Sequence, residues 1–167
     1  MGLLPHKQQT PANLKIAVIS VSTTRGIAED KSGAWIKQQV KKEGHETVVH
    51  HVVTDEIDAI QSMLQHVVEK ISPHAILMSG GTGISPKDVT IEAVSPMFDK
   101  TLTAFGVLFA QLSFEEIDSA AIMSRATAGI IGKSVVFCMP GSLNACKLAC
   151  NNLIFPELGH IIKHISE

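Results

Sequence analysis

From Leu14 onward the sequence alternates short apolar, β-branched runs with longer stretches whose apolar residues recur at helical spacing. This alternation constrains the fold more than any other feature. Residues 14–22 (LKIAVISVS) form the first run, the pattern of a strand buried on both faces. Asp30 and Ser32 precede Trp35, Ile36 and Val40, so they are placed to cap a helix that stops at Gly44. Residues 45–53 are read as a second strand, and 56–71 as a helix whose apolar face is Ile57, Ile60, Leu64, Val67 and Ile71. Residues 74–79 (HAILMS) give a third buried strand, and 127–131 and 134–139 flank Gly132-Lys133 as a hairpin. Two C-terminal helices are expected, one after Pro140-Gly141 and one after Pro156. Strands alternating with helices of this length predict one α/β domain over 14–167, a three-layer sandwich. Its sheet should be mostly parallel, with an antiparallel strand at an edge. Residues 1–13 are polar, contain two prolines, and are expected to form a flexible arm.

A chain of 167 residues, 45% hydrophobic and 18% charged, can bury a core without disulfides or a structural metal. Its 14 Lys and Arg against 16 Asp and Glu argue against nucleic acid or an anionic membrane as partner, and leave room for a small anionic ligand. No apolar run approaches the ~18 residues of a membrane span, and the first residues lack the apolar core of a signal peptide. The three cysteines include no CxxC pair, and Cys146 and Cys150 fall in an apolar helical pattern that reads as core. A reducing compartment, the cytoplasm, is expected.

In parallel α/β sheets, ligands bind beyond the carboxyl ends of the strands. Three such ends are unusual here. The first strand runs into Ser22-Thr23-Thr24-Arg25-Gly26, and the third into Ser79-Gly80-Gly81-Thr82-Gly83, where consecutive N–H groups could turn toward an anion. The strand 134–139 runs into Pro140-Gly141-Ser142, where Ser142 could cap a helix facing a phosphate. Together they point to a phosphorylated ligand. Neither a Walker A loop nor a GxGxxG fingerprint is present: no Gly-Lys-Ser/Thr follows Gly80 or Gly81, and Pro86 stands where a third glycine would. Asp88, after the glycine loop, and Asp55, after the second strand, each read either as a helix cap or as a carboxylate holding Mg²⁺ beside phosphates.

Two histidine patterns read as decoys. In HETVVH (45–50) the spacing is one residue too long for a zincin helix, and the segment reads as a strand. His160 and His164 lie off the apolar face of Leu158, Ile161, Ile162 and Ile165, which makes them a solvent-facing pair rather than ligands.

Several motifs, in order, are similar to those of the MoaB/MogA family of molybdenum cofactor biosynthesis proteins. They are SGGTG (79–83), DVTIEA (88–93), FGVLF (105–109) with LSFEEI (112–117), SRATAG (124–129) and MPGS (139–142). The resemblance runs from about Leu14 to the C-terminus, and LSFEEI and MPGS lean to the MoaB branch. It implies a molybdopterin-binding, MogA-like fold and an adenylyltransferase, in which the terminal phosphate of molybdopterin attacks the α-phosphate of Mg-ATP and releases pyrophosphate. The family's catalytic aspartates map onto Asp55 and Asp88, with Mg²⁺ there. Its phosphate and pterin loops map onto Ser22, the SGGTG loop, Ser124 and Pro140, Gly141 and Ser142. Trimers or hexamers are implied, in line with a mean hydropathy of +0.22. The competing reading is a non-catalytic pterin- or nucleotide-binding oligomer that sequesters or delivers the cofactor intermediate.

Overall fold

The structure is a computed structural model and describes residues 11–167, so most of the expected arm lies outside the described residues. Its strands are β1 (Lys15–Val21), β2 (Glu46–Val53), β3 (Ala75–Ser79), β4 (Lys100–Thr101), β5 (Thr127–Ile131) and β6 (Ser134–Met139). They form one sheet in the order β2-β1-β3-β6-β5-β4. Parallel pairing joins β2, β1, β3 and β6, which brings the carboxyl ends of all four to one side of the sheet. The hairpin falls where the sequence puts it, with Thr127 opposite Cys138 and Ile131 opposite Ser134. The expected antiparallel strand is therefore β5, and the two residues of β4 cover its outer side. A segment of two residues carries no periodicity, so β4 has no run of its own in the sequence.

Period-2 alternation divides the strands between two cores. Ile16, Val18, Leu77, Val135 and Phe137 face one side, where they pack with Ile36, Phe109, Cys146, Leu158 and Ile162. Ala17, Ile19, Ile76, Met78, Val136 and Cys138 face the other and pack with Ile60, Leu64, Ala93 and Val94. The first layer holds α1 (Lys31–Lys42), α4 (Thr103–Ile117), α5 (Leu143–Ala149) and α6 (Phe155–Ser166). The second holds α2 (Ile57–His66) and α3 (Thr90–Val94). The helix expected over 56–71 continues past α2 as a π-turn, Val67–Ile71, and stops where Ser72 turns left-handed ahead of Pro73. The two C-terminal helices run into each other through another π-turn, Cys150–Ile154, and Pro156 follows that turn in the first turn of α6. Among the described residues no helix is long and apolar enough to cross a membrane.

Candidate functional site

A cleft of about 540 Å³ lies beyond the carboxyl ends of β1, β2, β3 and β6. Its walls are the loops that the sequence singles out. Gly80 and Gly81 both adopt left-handed backbone, at φ 98° and 65°. A Cβ on Gly80 would stand 2.4 Å from the carbonyl oxygen of Val21, and one on Gly81 would stand 2.3 Å from Thr90 Oγ1. Only glycine fits either place. The turn is locked from behind: Thr90 N–H donates to the Gly81 carbonyl at 2.9 Å and its hydroxyl to the Gly80 carbonyl at 2.8 Å. Gly141 lies across from Gly80, so close that its Cβ would come within 3.1 Å of Gly80 Cα.

The cleft carries both signs of charge. Arg25, Lys31 and Lys87 line it, and so do Asp30, Asp55 and Asp88. Neither of the two carboxylates singled out from the sequence is a helix cap. Helix α2 begins at Ile57 behind Glu56 and α3 at Thr90 behind Val89, both without a side-chain cap. Asp88 Oδ2 accepts from Ser85 N–H at 2.9 Å and closes the turn at the mouth of the cleft. Ser142 does cap, accepting from Ala145 N–H at 3.2 Å. Ser142→Ala should therefore cost about 1 kcal/mol in chemical denaturation, the usual worth of such a cap.

Beneath the cleft is a buried polar cluster. Asp30 is only 7% exposed. Its Oδ1 accepts from Gly33 N–H at 2.9 Å and so caps α1, as the sequence suggests. Its Oδ2 accepts from Ser20 Oγ at 2.6 Å and meets His50 Nε2 at 2.9 Å. Ser20 Oγ lies 3.3 Å from Ser79 Oγ, with which β1–β3 pairing puts it in register. Burial pushes the Asp30 carboxyl up, but the hydrogen bonds from Ser20, His50 and Gly33 outweigh it and hold the group below its ordinary value of 3.8. The cysteines supply no nucleophile: burial pushes the thiols of Cys138 and Cys146 up to about 12, and that of Cys150 upward as well.

Residues 15–160 match the family described as "Probable molybdopterin binding domain". The chain is 47% identical over 167 residues to Molybdenum cofactor biosynthesis protein B of Bacillus subtilis, covering 99% of this chain and 98% of that one. The chain belongs to the MoaB/MogA family. It is also 39% identical over 173 residues to the molybdopterin adenylyltransferase of Pyrococcus furiosus, with all of both chains covered. A crystal structure of a molybdenum cofactor biosynthesis protein B superposes with a TM-score of 0.91 at 42% identity, covering 95% of this chain and 99% of the other. As a member of this family, the chain belongs to molybdenum cofactor biosynthesis.

Of the residues that the family motifs single out, Ser22, Asp55, Ser79, Gly80, Gly81, Asp88, Gly141 and Ser142 line the cleft. Thr82, Gly83, Ser124 and Pro140 do not. Thr82 is 1% exposed, and its hydroxyl has no hydrogen-bond partner among the described residues. Ser124 closes the 3₁₀ turn Asp118–Met123 by donating its N–H to Ala121. The group that reaches the glycine loop from this segment is its neighbour. Arg125 Nε donates to the carbonyls of Thr82 and Gly83, both at 3.0 Å, while Nη1 pairs with Glu92 at 2.6 Å. Arg125 stands inside the SRATAG motif, but nothing in its spacing tells which residue of that motif bears on the loop. Asp30 reads from the sequence as a cap alone. Its place on the cleft floor depends on Ser20 and His50, which only the sheet brings to it.

Proposed function

We propose that this chain binds molybdopterin and adenylylates it with Mg-ATP; its archaeal relative carries the name molybdopterin adenylyltransferase. The observation that supports this reading best is that Asp55 and Asp88, from loops after different strands, share one cleft with the paired glycines and with Arg25, Lys31 and Lys87. An oxygen of the pterin's terminal phosphate forms a bond to the α-phosphorus of ATP. The bond from that phosphorus to the β-bridging oxygen breaks, and pyrophosphate leaves. No enzyme nucleophile is required, so the chain's work is to align two phosphates and offset their charge.

The donor set fits Mg²⁺, which takes one or two carboxylates and fills its remaining positions with phosphate oxygens and water. Asp55 and Asp88 would hold it, and the ion would neutralise charge on the phosphates. Arg25, Lys31 and Lys87 draw the anionic substrates in, and the glycine backbone lets a phosphate approach without meeting a Cβ. The test is to incubate the protein with molybdopterin and Mg-ATP. Pyrophosphate release together with adenylylated pterin is expected, whereas tight pterin binding without turnover would favour a sequestering or delivering role.

We further propose self-association, as trimer or hexamer, through α4 and the turn that follows it. Val107, Leu108, Phe114 and Ile117 are exposed there, with Met123 and with Ile122 at 87%. A patch of this kind on a domain that already has two filled cores is a surface for burial against another copy. Light scattering under reducing conditions should give a multiple of the 17.9 kDa chain, and Ile122→Asp should shift it toward the monomer. A wild-type monomer at micromolar concentration would overturn this. The buried, unpaired cysteines support placing the protein in a reducing compartment, the cytoplasm.

A further inference from the structure

The two histidines of α6 reach solvent, as the sequence suggests, with His160 34% and His164 62% exposed, but they also meet each other. His160 and His164, one helical turn apart, direct their Nε2 atoms at each other across 3.0 Å. Their Nδ1 atoms face carboxylates, Glu157 at 3.3 Å and Glu167 at 3.2 Å. A carboxylate only accepts, so these contacts are hydrogen bonds in the tautomer that carries the hydrogen on Nδ1, which in a neutral ring leaves Nε2 with its lone pair. Two lone pairs at this distance, on rings tilted 54° to each other, repel unless a proton or a metal ion is shared between them. From the geometry we infer that His160 and His164 chelate a divalent transition-metal ion, with Glu157 and Glu167 orienting the rings from behind.

The arrangement matches the carboxylate–histidine–metal relay that fixes tautomer and ring orientation in metal sites. With metal–nitrogen bonds of about 2.0–2.1 Å, two nitrogens 3.0 Å apart subtend about 95° at the ion. That is close to the right angle of a square-planar or octahedral centre and short of the tetrahedral angle of about 109°. Imidazole is an apt ligand for Cu²⁺ and Ni²⁺, whose neighbouring ligands stand near a right angle. Among the described residues no third His, Cys, Asp or Glu completes a cluster, so solvent fills the other positions. The pair borders a groove with Asp99, Lys100, Ile130, Gly132 and Ile165, on the side of the sheet where β6 begins, and Asp99 there accepts from Gly132 N–H. The phosphate cleft lies past the other end of β6, so the ion would take no part in its chemistry. It would instead join successive turns of α6 near the end of the helix.

The test uses the untagged full chain titrated with CuCl₂ or NiCl₂. One ion per chain is expected by calorimetry, with two nitrogens in the equatorial plane of the Cu²⁺ electron paramagnetic resonance spectrum. His160→Gln or His164→Gln should each weaken binding at least ~10-fold, and Glu157→Gln should weaken it by less. Saturating ion should raise the melting temperature of the wild type and not of the double His→Gln variant, because binding to the native state alone stabilises it. Unchanged affinity in the double variant, or a spectrum with a single nitrogen, would overturn the assignment. So would the absence of saturable binding, which would mean that a shared proton holds the rings together. The spectrum is read on the wild-type protein, so it decides the matter even if a variant folds poorly.

Discussion

Asp88→Asn is expected to lower the rate of adenylylation by ~10²-fold or more while leaving molybdopterin affinity nearly unchanged. The amide keeps the size of the side chain and can still accept from Ser85 N–H, so the turn over 85–88 should survive. What disappears is the negative charge that a hard cation requires beside the phosphates. Loss of one electrostatic contact to a developing charge commonly costs this much in rate. Since Asp88 does not cap α3, a purely structural role would confine the effect of Asn to a small change in stability. Measuring pterin affinity, turnover and melting temperature on the same variant separates the two. Unchanged turnover would leave Asp88 as a turn residue and pass the metal to Asp55.

Asp30→Ala should have the largest effect on stability, about 3 kcal/mol. It removes the cap of α1, worth about 1 kcal/mol, and leaves the buried Ser20 hydroxyl and His50 ring short of a partner, at about 1–3 kcal/mol. For a domain of this size, that corresponds to a fall of about 10 °C in melting temperature. The pH dependence follows from the direction of the shift. A carboxyl held below its unfolded value contributes fully above the ordinary 3.8, and that contribution drains away as pH falls through its lower folded value. The gap in denaturation free energy between wild type and variant should thus be constant above about pH 5 and narrow below it. A gap of less than about 1 kcal/mol at neutral pH would mean that water or a neighbour takes over the role of Asp30.

The contrast between Asp88 and Asp30 shows what the sequence can and cannot reveal. Strands β1, β2, β3 and β6 were legible because local hydrophobicity decides them, and the convergence of their loops then follows from parallel pairing. The glycines were legible because their positive φ is a local demand. The start of α3 was not. Thr90 spends its N–H and hydroxyl on the carbonyls of the glycine loop, so the helix begins two residues after Asp88 and leaves it at the cleft mouth. The floor cluster was illegible for another reason. Ser20, Asp30, His50 and Ser79 are spread over 59 residues of chain between Ser20 and Ser79 and meet only through the register of β1 with β2 and β3. Arg125 is similar, reaching the carbonyl of Thr82 from 43 positions away.

The contact between Gly80 and Gly141 bears on how the cleft moves. Backbone rests on backbone there, with no side chain between to change rotamer and take up a displacement. Gly80 N–H also donates to the carbonyl of Met139, the last residue of β6. The two central walls are therefore joined backbone to backbone, so a shift of one would press on the other. If phosphates bind there as proposed, their seat would keep its dimensions, and fitting differently shaped ligands would fall to the lips at 22–26 and 83–88.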